Sequence, residues 1–182
     1  MIYDKTKHLK NWIIADPSPC PGSNLYFETM FTLGNGYLGL RGALEEARPD
    51  ARHAPLCQVA GVYDKPDSRL IPVRYAPVPD YLTTRFHDGT AWLDCTKGTV
   101  LDHFRRLDMK RGILIRHLRW QGADGKITRL ETRRIVSQSR LNIAAFSYTI
   151  IPENYSDTVK ITTGINGNTT YPDTERQLET LQ

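Results

Sequence analysis

Glu45 and Glu46 are the nearest approach to a paired-carboxylate signal in this chain of 182 residues. Two carboxyl groups that flank one bond can divide the work, one protonating the leaving group while the other activates a nucleophile on the opposite face. Neighbours on a strand point to opposite sides, however, so a strand carrying both would not let them flank the same bond. Histidines 8, 53, 87, 103 and 117 form no H-x-x-x-H or H-E-x-x-H pattern, and with the scattered cysteines they make no metal-ligand set. Ser18, Ser23, Ser68, Ser137, Ser139, Ser147 and Ser156 lack the G-x-S-x-G setting of a strained nucleophile. Glycines 34, 36, 39 and 42 do not open a helix after a strand, and no Gly-Lys-Ser/Thr occurs, so a phosphate-cradling loop is disfavoured.

The other candidates lie in the same stretch, Glu28 to Glu45, where glycines alternate with Phe31, Leu33, Tyr37, Leu38 and Leu40. Gly34-Asn35-Gly36 reads as a tight turn between two strands, because Asn and Gly tolerate the conformations such turns need. Around it Asn35, Tyr37 and Arg41 offer hydrogen bonds and a stacking face suited to a sugar or a phosphate, and glycine lets the backbone approach another surface. The competing reading places Tyr37 in the core and pairs Arg41 with Glu45 or Glu46.

What must position these residues is a mostly β chain. Ile113 to Gln121 and Ile127 to Val136 read as strands separated by Gly122-Ala123-Asp124-Gly125-Lys126. Ile143 to Ile151 alternates with Ala144, Phe146, Tyr148 and Ile150 together, and Thr158 to Ile165 with Val159, Ile161, Thr163 and Ile165 on one face. Leu56 to Val62 reads as a buried strand, and Tyr81–Phe86 and Ala91–Leu93 as a hairpin around His87-Asp88-Gly89-Thr90. Pro17, Pro19 and Pro21 exclude regular structure before the glycine-rich stretch. No segment carries a long 3.6-residue apolar stripe, so the expectation is about ten to twelve short strands in a sandwich.

Composition agrees with one soluble domain: 40% hydrophobic and 24% charged residues. No apolar run reaches membrane-span length and the amino terminus has no signal-peptide h-region, so neither membrane nor export is expected. Three well-separated cysteines fit reduced thiols in the cytoplasm. The net charge of +4 is uneven, with eleven Lys or Arg against three acids between residues 105 and 140. That patch reads as a solvated sheet face or a surface for an acidic partner; stacking aromatics are sparse in it, which disfavours nucleic acid.

Four blocks carry a more specific signal: Glu28-Thr-Met-Phe-Thr-Leu-Gly-Asn-Gly-Tyr-Leu-Gly-Leu-Arg-Gly42, Glu45-Glu46, Ala60-Gly-Val-Tyr-Asp64, and Arg106-Leu-Asp-Met-Lys-Arg-Gly-Ile-Leu114. In this order they resemble the amino-terminal domain of glycoside hydrolase family 65, which contains maltose, kojibiose, nigerose and trehalose phosphorylases and some hydrolases. The resemblance implies an antiparallel β-sandwich of the super-sandwich, galactose mutarotase-like kind, incomplete here at its carboxyl-terminal end. Residues 1–182 are then a single amino-terminal sandwich domain or a fragment of one, and the catalytic α/α-barrel of the family is absent from this chain. It further implies no cofactor, inorganic phosphate as co-substrate of the whole enzyme, an α-linked glucose disaccharide as substrate, the chain's own barrel as partner, and a homodimer. The family's catalytic glutamate and phosphate-binding residues belong to the barrel, so no catalytic residue is carried over. Asn35, Tyr37 and Arg41 are expected to face the barrel near the sugar site. A free-standing carbohydrate-binding module is the alternative, and an anion or nucleic-acid binder using the 105–140 patch is a third.

Overall fold

The computed structural model describes residues 12–16, 25–46, 57–65, 73–76, 78–95 and 97–167. The expectations for Pro17 to Gly22, for the loop after Glu46, for the turn after Asp64 and for Cys20 lie wholly or mostly outside those residues. Among the described residues there are twelve strands and one short helix, within the expected number.

The largest unit is a five-stranded antiparallel sheet. Its order is β1 (Ile13–Asp16), β8 (Thr99–Asp108), β9 (Ile113–Gln121), β10 (Ile127–Val136) and β11 (Ala144–Pro152). β9 and β10 begin and end where the alternation and the Gly122–Lys126 turn place them, and they pair with Leu118 opposite Leu130 and Trp120 opposite Thr128. One face is packed: Leu107, Leu114, Leu118, Trp120, Leu130 and Val136 all point into the core. The opposite face alternates away from it, as a sheet with one packed side requires.

A second layer covers the packed face. β2 (Leu33–Gly34), β3 (Leu38–Leu40) and β4 (Cys57–Val59) form a three-stranded sheet whose Leu33, Leu40 and Cys57 meet Leu107, Leu114 and Val136. Phe86, on β7 (Thr84–His87), with Leu93 and Cys95 closes over Leu118, Trp120 and Leu130. The hairpin around His87–Thr90 forms as expected, with Leu93 N–H donating to Phe86 O at 2.8 Å. β5 (Tyr63–Asp64) and β6 (Arg74–Tyr75) pair with each other, and β12 (Lys160–Thr163) pairs with β7. The architecture is thus the expected antiparallel β-sandwich.

Three local expectations change. Leu25–Met30 is a helix, α1, that runs into the start of the glycine-rich stretch ahead of its hairpin and that the sequence did not suggest. At six residues it is too short to show a period, and it is held by Phe27 and Phe31, whose rings stack 5.4 Å apart over the core. The strand expected from Leu56 to Val62 stops at Val59, because the backbone turns at Gly61, where φ is +84°. The alternating face of Val159, Ile161 and Ile165 is exposed, since β12 lies at an edge with β7 as its only partner among the described residues.

Candidate functional site

The Glu28–Glu46 stretch lies across the packed face of the large sheet, and its polar residues are placed by two separate devices. The first is the turn. Leu33 pairs with Leu40 and Gly34 with Gly39, and Gly36 takes the left-handed φ of +86° that closes the hairpin. Asn35 Oδ1 accepts the N–H groups of Tyr37 (2.9 Å) and Leu38 (2.8 Å), while its Nδ2 donates to the carbonyls of Ser137 (2.7 Å) and Leu141 (3.0 Å). All four hydrogen-bonding positions of the amide are occupied, so Asn35 pins the turn to the β10–β11 connection. Tyr37 is 41% exposed rather than part of the core. Arg41 Nε donates to Glu28 Oε2 at 3.2 Å, where the sequence suggested Glu45 or Glu46.

The second device is an ionic clamp. After Leu40 the chain runs to Glu46 without regular structure, and three arginines on successive strands of the large sheet reach up to hold it. Arg105, on β8, donates to Gly42 O (3.1 Å) and binds Asp16 Oδ2 at 2.8 and 3.1 Å. Arg134, on β10, donates from Nη2 to Ala43 O (2.5 Å) and to Glu45 Oε1 (2.6 Å). Arg116, on β9, is bonded through Nη1 to Glu45 Oε2 and Glu46 Oε2 and through Nη2 to Glu46 Oε1, each at 2.6 Å. Thr132 Oγ1 donates to Glu45 Oε1 at 2.7 Å, and the Cys95 thiol lies 3.2 Å from Glu46 Oε1.

Gly42 is what lets this segment settle: a Cβ there would collide with Phe31 Cβ and come 3.0 Å from Phe31 O and 3.1 Å from Glu28 O. Gly39 has no such crowding, with its nearest neighbour at 3.8 Å.

Two sequence expectations are thereby corrected. Glu45 and Glu46 do not point apart. They stand in a turn rather than a strand, and both carboxylates converge on one guanidinium. The 105–140 basic patch is not one solvated face, because Arg105, Arg116 and Arg134 share the inward parity of Leu107, Leu118 and Leu130 and are about 2% exposed. That parity is the signal that sequence reasoning passed over: a charge at an apolar position of an alternating strand calls for a buried partner.

Electrostatically the clamp is a store of fixed charge rather than a source of protons. Burial alone would raise the pKa of Glu45, but the charges of Arg134 and Arg116 and the Thr132 hydrogen bond override it and hold the carboxyl well below the usual range. Burial likewise works against a charged Arg116, and Glu46 and Glu45 reverse that, driving its pKa upward. Held in this state, the Glu45 carboxylate accepts hydrogen bonds and does not act as an acid near neutrality. Among the described residues no cluster of His, Cys, Asp and Glu is arranged to hold a metal, and no helix is long and apolar enough to cross a membrane.

A two-layer antiparallel sandwich, its glycine-rich turn pinned by Asn35 and the following segment clamped by buried arginines, defines the class of domain. Its fold matches that of a solved structure from the human microbiome assigned as a kojibiose phosphorylase, with a TM-score of 0.65 over 78% of this chain at 18% identity. The profile described as "Glycosyl hydrolase family 65, N-terminal domain" matches residues 20–182, and the chain belongs to that family. It is 37% identical over 161 residues to a kojibiose phosphorylase of Halothermothrix orenii, covering 88% of this chain and 20% of the relative. To an α,α-trehalose phosphorylase of Thermoanaerobacter brockii it is 29% identical over 171 residues, covering 87% of this chain and 22% of the relative. The chain thus spans about a fifth of the length of these curated relatives.

Proposed function

We propose that this chain is a noncatalytic, supporting amino-terminal domain of an α-glucosyl disaccharide phosphorylase. The whole enzyme would cleave a maltose-, kojibiose- or trehalose-type sugar with inversion, using inorganic phosphate as co-substrate. The observation that carries this reading is the fate of Glu45 and Glu46: the paired carboxylates of the signature stretch are spent as acceptors for Arg116, Arg134 and Thr132. The names of the relatives supply the substrate class, and the match to about a fifth of their length fits a supporting role. Within the signature, Asn35 and Arg41 act as positioning residues. Tyr37, with its exposed ring, is the member that borders the sugar site.

The test has two parts. The isolated chain, incubated with phosphate and maltose, trehalose or kojibiose, releases no glucose 1-phosphate and shows no saturable heat on titration with these sugars. Placed in the Halothermothrix orenii kojibiose phosphorylase in exchange for the matched segment, it supports kojibiose phosphorolysis. Glucose 1-phosphate from the chain alone overturns the reading. Saturable sugar binding by the chain together with an inactive hybrid moves it to a free-standing carbohydrate-binding module.

A further inference from the structure

Asn35-Gly36, at the tip of the glycine-rich turn, carries a chemistry besides hydrogen bonding. In an asparagine followed by glycine the next backbone nitrogen can attack the side-chain carbonyl carbon, because no Cβ shields it and the glycine backbone is free to swing it into line. Here that nitrogen is open: a Cβ built at Gly36 would have nothing within 4 Å, and among the described residues no hydrogen bond ties the Gly36 N–H. What the fold holds is the other partner. Asn35 Oδ1 accepts the N–H groups of Tyr37 and Leu38, while Nδ2 donates to Ser137 O at 2.7 Å and Leu141 O at 3.0 Å. Gln138 Nε2 adds a tie from the same connection to Gly34 O at 3.3 Å. Attack would make Cγ tetrahedral and expel Nδ2, and with the amide plane fixed by four hydrogen bonds this requires those bonds to open first.

We propose that Asn35 is a latent deamidation site, which makes the turn a one-way latch: closed, it protects its own asparagine, and once opened it is converted to a form that does not reseat. The reaction needs only water. Gly36 N forms a bond to Asn35 Cγ, the Cγ–Nδ2 bond breaks, and the proton lost from Gly36 N passes through solvent to Nδ2, which leaves as ammonia. Water then opens the cyclic imide at one or other carbonyl, leaving aspartate or isoaspartate at position 35. An amide that donates twice is thereby replaced by a carboxylate that only accepts. Facing Ser137 O and Leu141 O, it meets two acceptors with a negative charge, so the turn comes away from the β10–β11 connection. Isoaspartate also lengthens the backbone inside a hairpin whose Gly34–Gly39 pairing and Gly36 φ of +86° leave no slack. The inference rests on the hydrogen bonds of the turn alone and is independent of the supporting-domain reading.

The chain carries its own comparison. Asn166-Gly167 is the same pair, and both of its residues are exposed; Asn166 is joined to Asp80 through the backbone, N–H to O at 2.7 Å and O from N–H at 2.9 Å. Peptide mapping of the chain held at mildly alkaline pH, native and in urea, reads deamidation at both pairs as added mass and as the aspartate and isoaspartate forms of each peptide. Folding slows the reaction at Asn35 at least roughly tenfold, as protection by a closed latch requires, and slows it at Asn166 by less. Conversion of Asn35 as fast in the native chain as in urea overturns the proposal. Equal slowing of the two pairs means that the fold in general, and not the four bonds, gives the protection, and it overturns the proposal as well.

The consequence of the reaction is tested by hydrogen exchange. In Asn35→Asp, amides of 36–38 and 137–143 exchange at least roughly tenfold faster than in the unsubstituted chain, and those of 115–119 in β9 are unchanged. Asn35→Ala, which removes the donors without adding charge, falls between the two. The unsubstituted chain, deamidated at Asn35 in urea and returned to buffer, gives the same readout without a substitution and serves where Asn35→Asp does not fold. Exchange at 36–38 and 137–143 that is the same before and after deamidation means that the turn reseats, and the latch fails.

Discussion

Replacing Arg116 by Met removes the cation on which Glu45 and Glu46 converge while roughly keeping its bulk. Glu45 retains Arg134 and Thr132 at 2.6 and 2.7 Å, but Glu46 loses both of its 2.6 Å bonds to Arg116. Its side chain is 8% exposed, so water cannot replace what is lost. Stranding a buried charge in this way costs about 3–5 kcal/mol, a large part of the roughly 5–15 kcal/mol that stabilises a domain. With a urea m-value of about 2 kcal/mol/M, the midpoint should fall by roughly 1.5–2.5 M. Arg119→Met is the control: Arg119 binds Glu153 at 2.7 Å, but its side chain is 41% exposed, and an exposed pair contributes about 0–1 kcal/mol. Adding Glu46→Gln to Arg116→Met should recover about 1–3 kcal/mol, because the stranded charge is gone. Urea unfolding at neutral pH, followed by circular dichroism, measures all four proteins. Equal losses for Arg116→Met and Arg119→Met, or no recovery in the double variant, would refute the claim that the clamp is a buried, mutually dependent set.

The remaining predictions concern packing and titration. Gly42→Ala should destabilise by about 1–3 kcal/mol through overpacking against Phe31, whereas Gly39→Ala, whose new Cβ meets nothing closer than 3.8 Å, should be nearly silent in the same melts. Glu45 is held below its ordinary 4.5, so it contributes stability that is full above about that pH and lost as the pH falls through the folded value. A urea midpoint that holds level from pH 7 to 5 and drops below about 4.5 is expected, and a flat profile down to pH 3 would contradict it. Burial pushes the Cys57 thiol up to about 11. Iodoacetamide at pH 8 should therefore leave Cys57 unmodified in the native chain and modify it once urea unfolds the domain, as read by peptide mapping.

The strands were legible where one local pattern sufficed. β9 and β10 alternate for nine and ten residues on either side of a Gly-containing turn, and nothing distant competes with that signal. The clamp was not legible, because its partners lie far apart in sequence: Glu45 is 71 residues from Arg116 and 89 from Arg134. Counting charge between 105 and 140 treated eleven cations alike, although strand parity sorts them: Arg105, Arg116 and Arg134 fall with the leucines and Arg119 does not. Helix α1 escaped for the opposite reason, since six residues held by two phenylalanine contacts leave no period to read. β12 shows the limit of alternation itself, which says which side chains share a face and is silent on whether anything covers that face.

These two devices explain why a segment without regular structure belongs to the signature. Arg41 to Glu46 forms no strand, so its carbonyls at 41, 42 and 43 would lie unbonded over the core; Arg134 and Arg105 supply the missing donors. Exchanging such a buried network for well-packed apolar side chains is often neutral or stabilising, so net stability is a poor reason for its presence. Its geometry provides a better one. Three arginines on three adjacent strands admit a single register of the overlying segment, and Asn35 fixes the turn to the end of β10 in the same way. Together they set the height and angle of Tyr37 relative to the large sheet. Under the supporting-domain reading, a turn of this kind needs a fixed position more than additional stability, and the buried charges provide it.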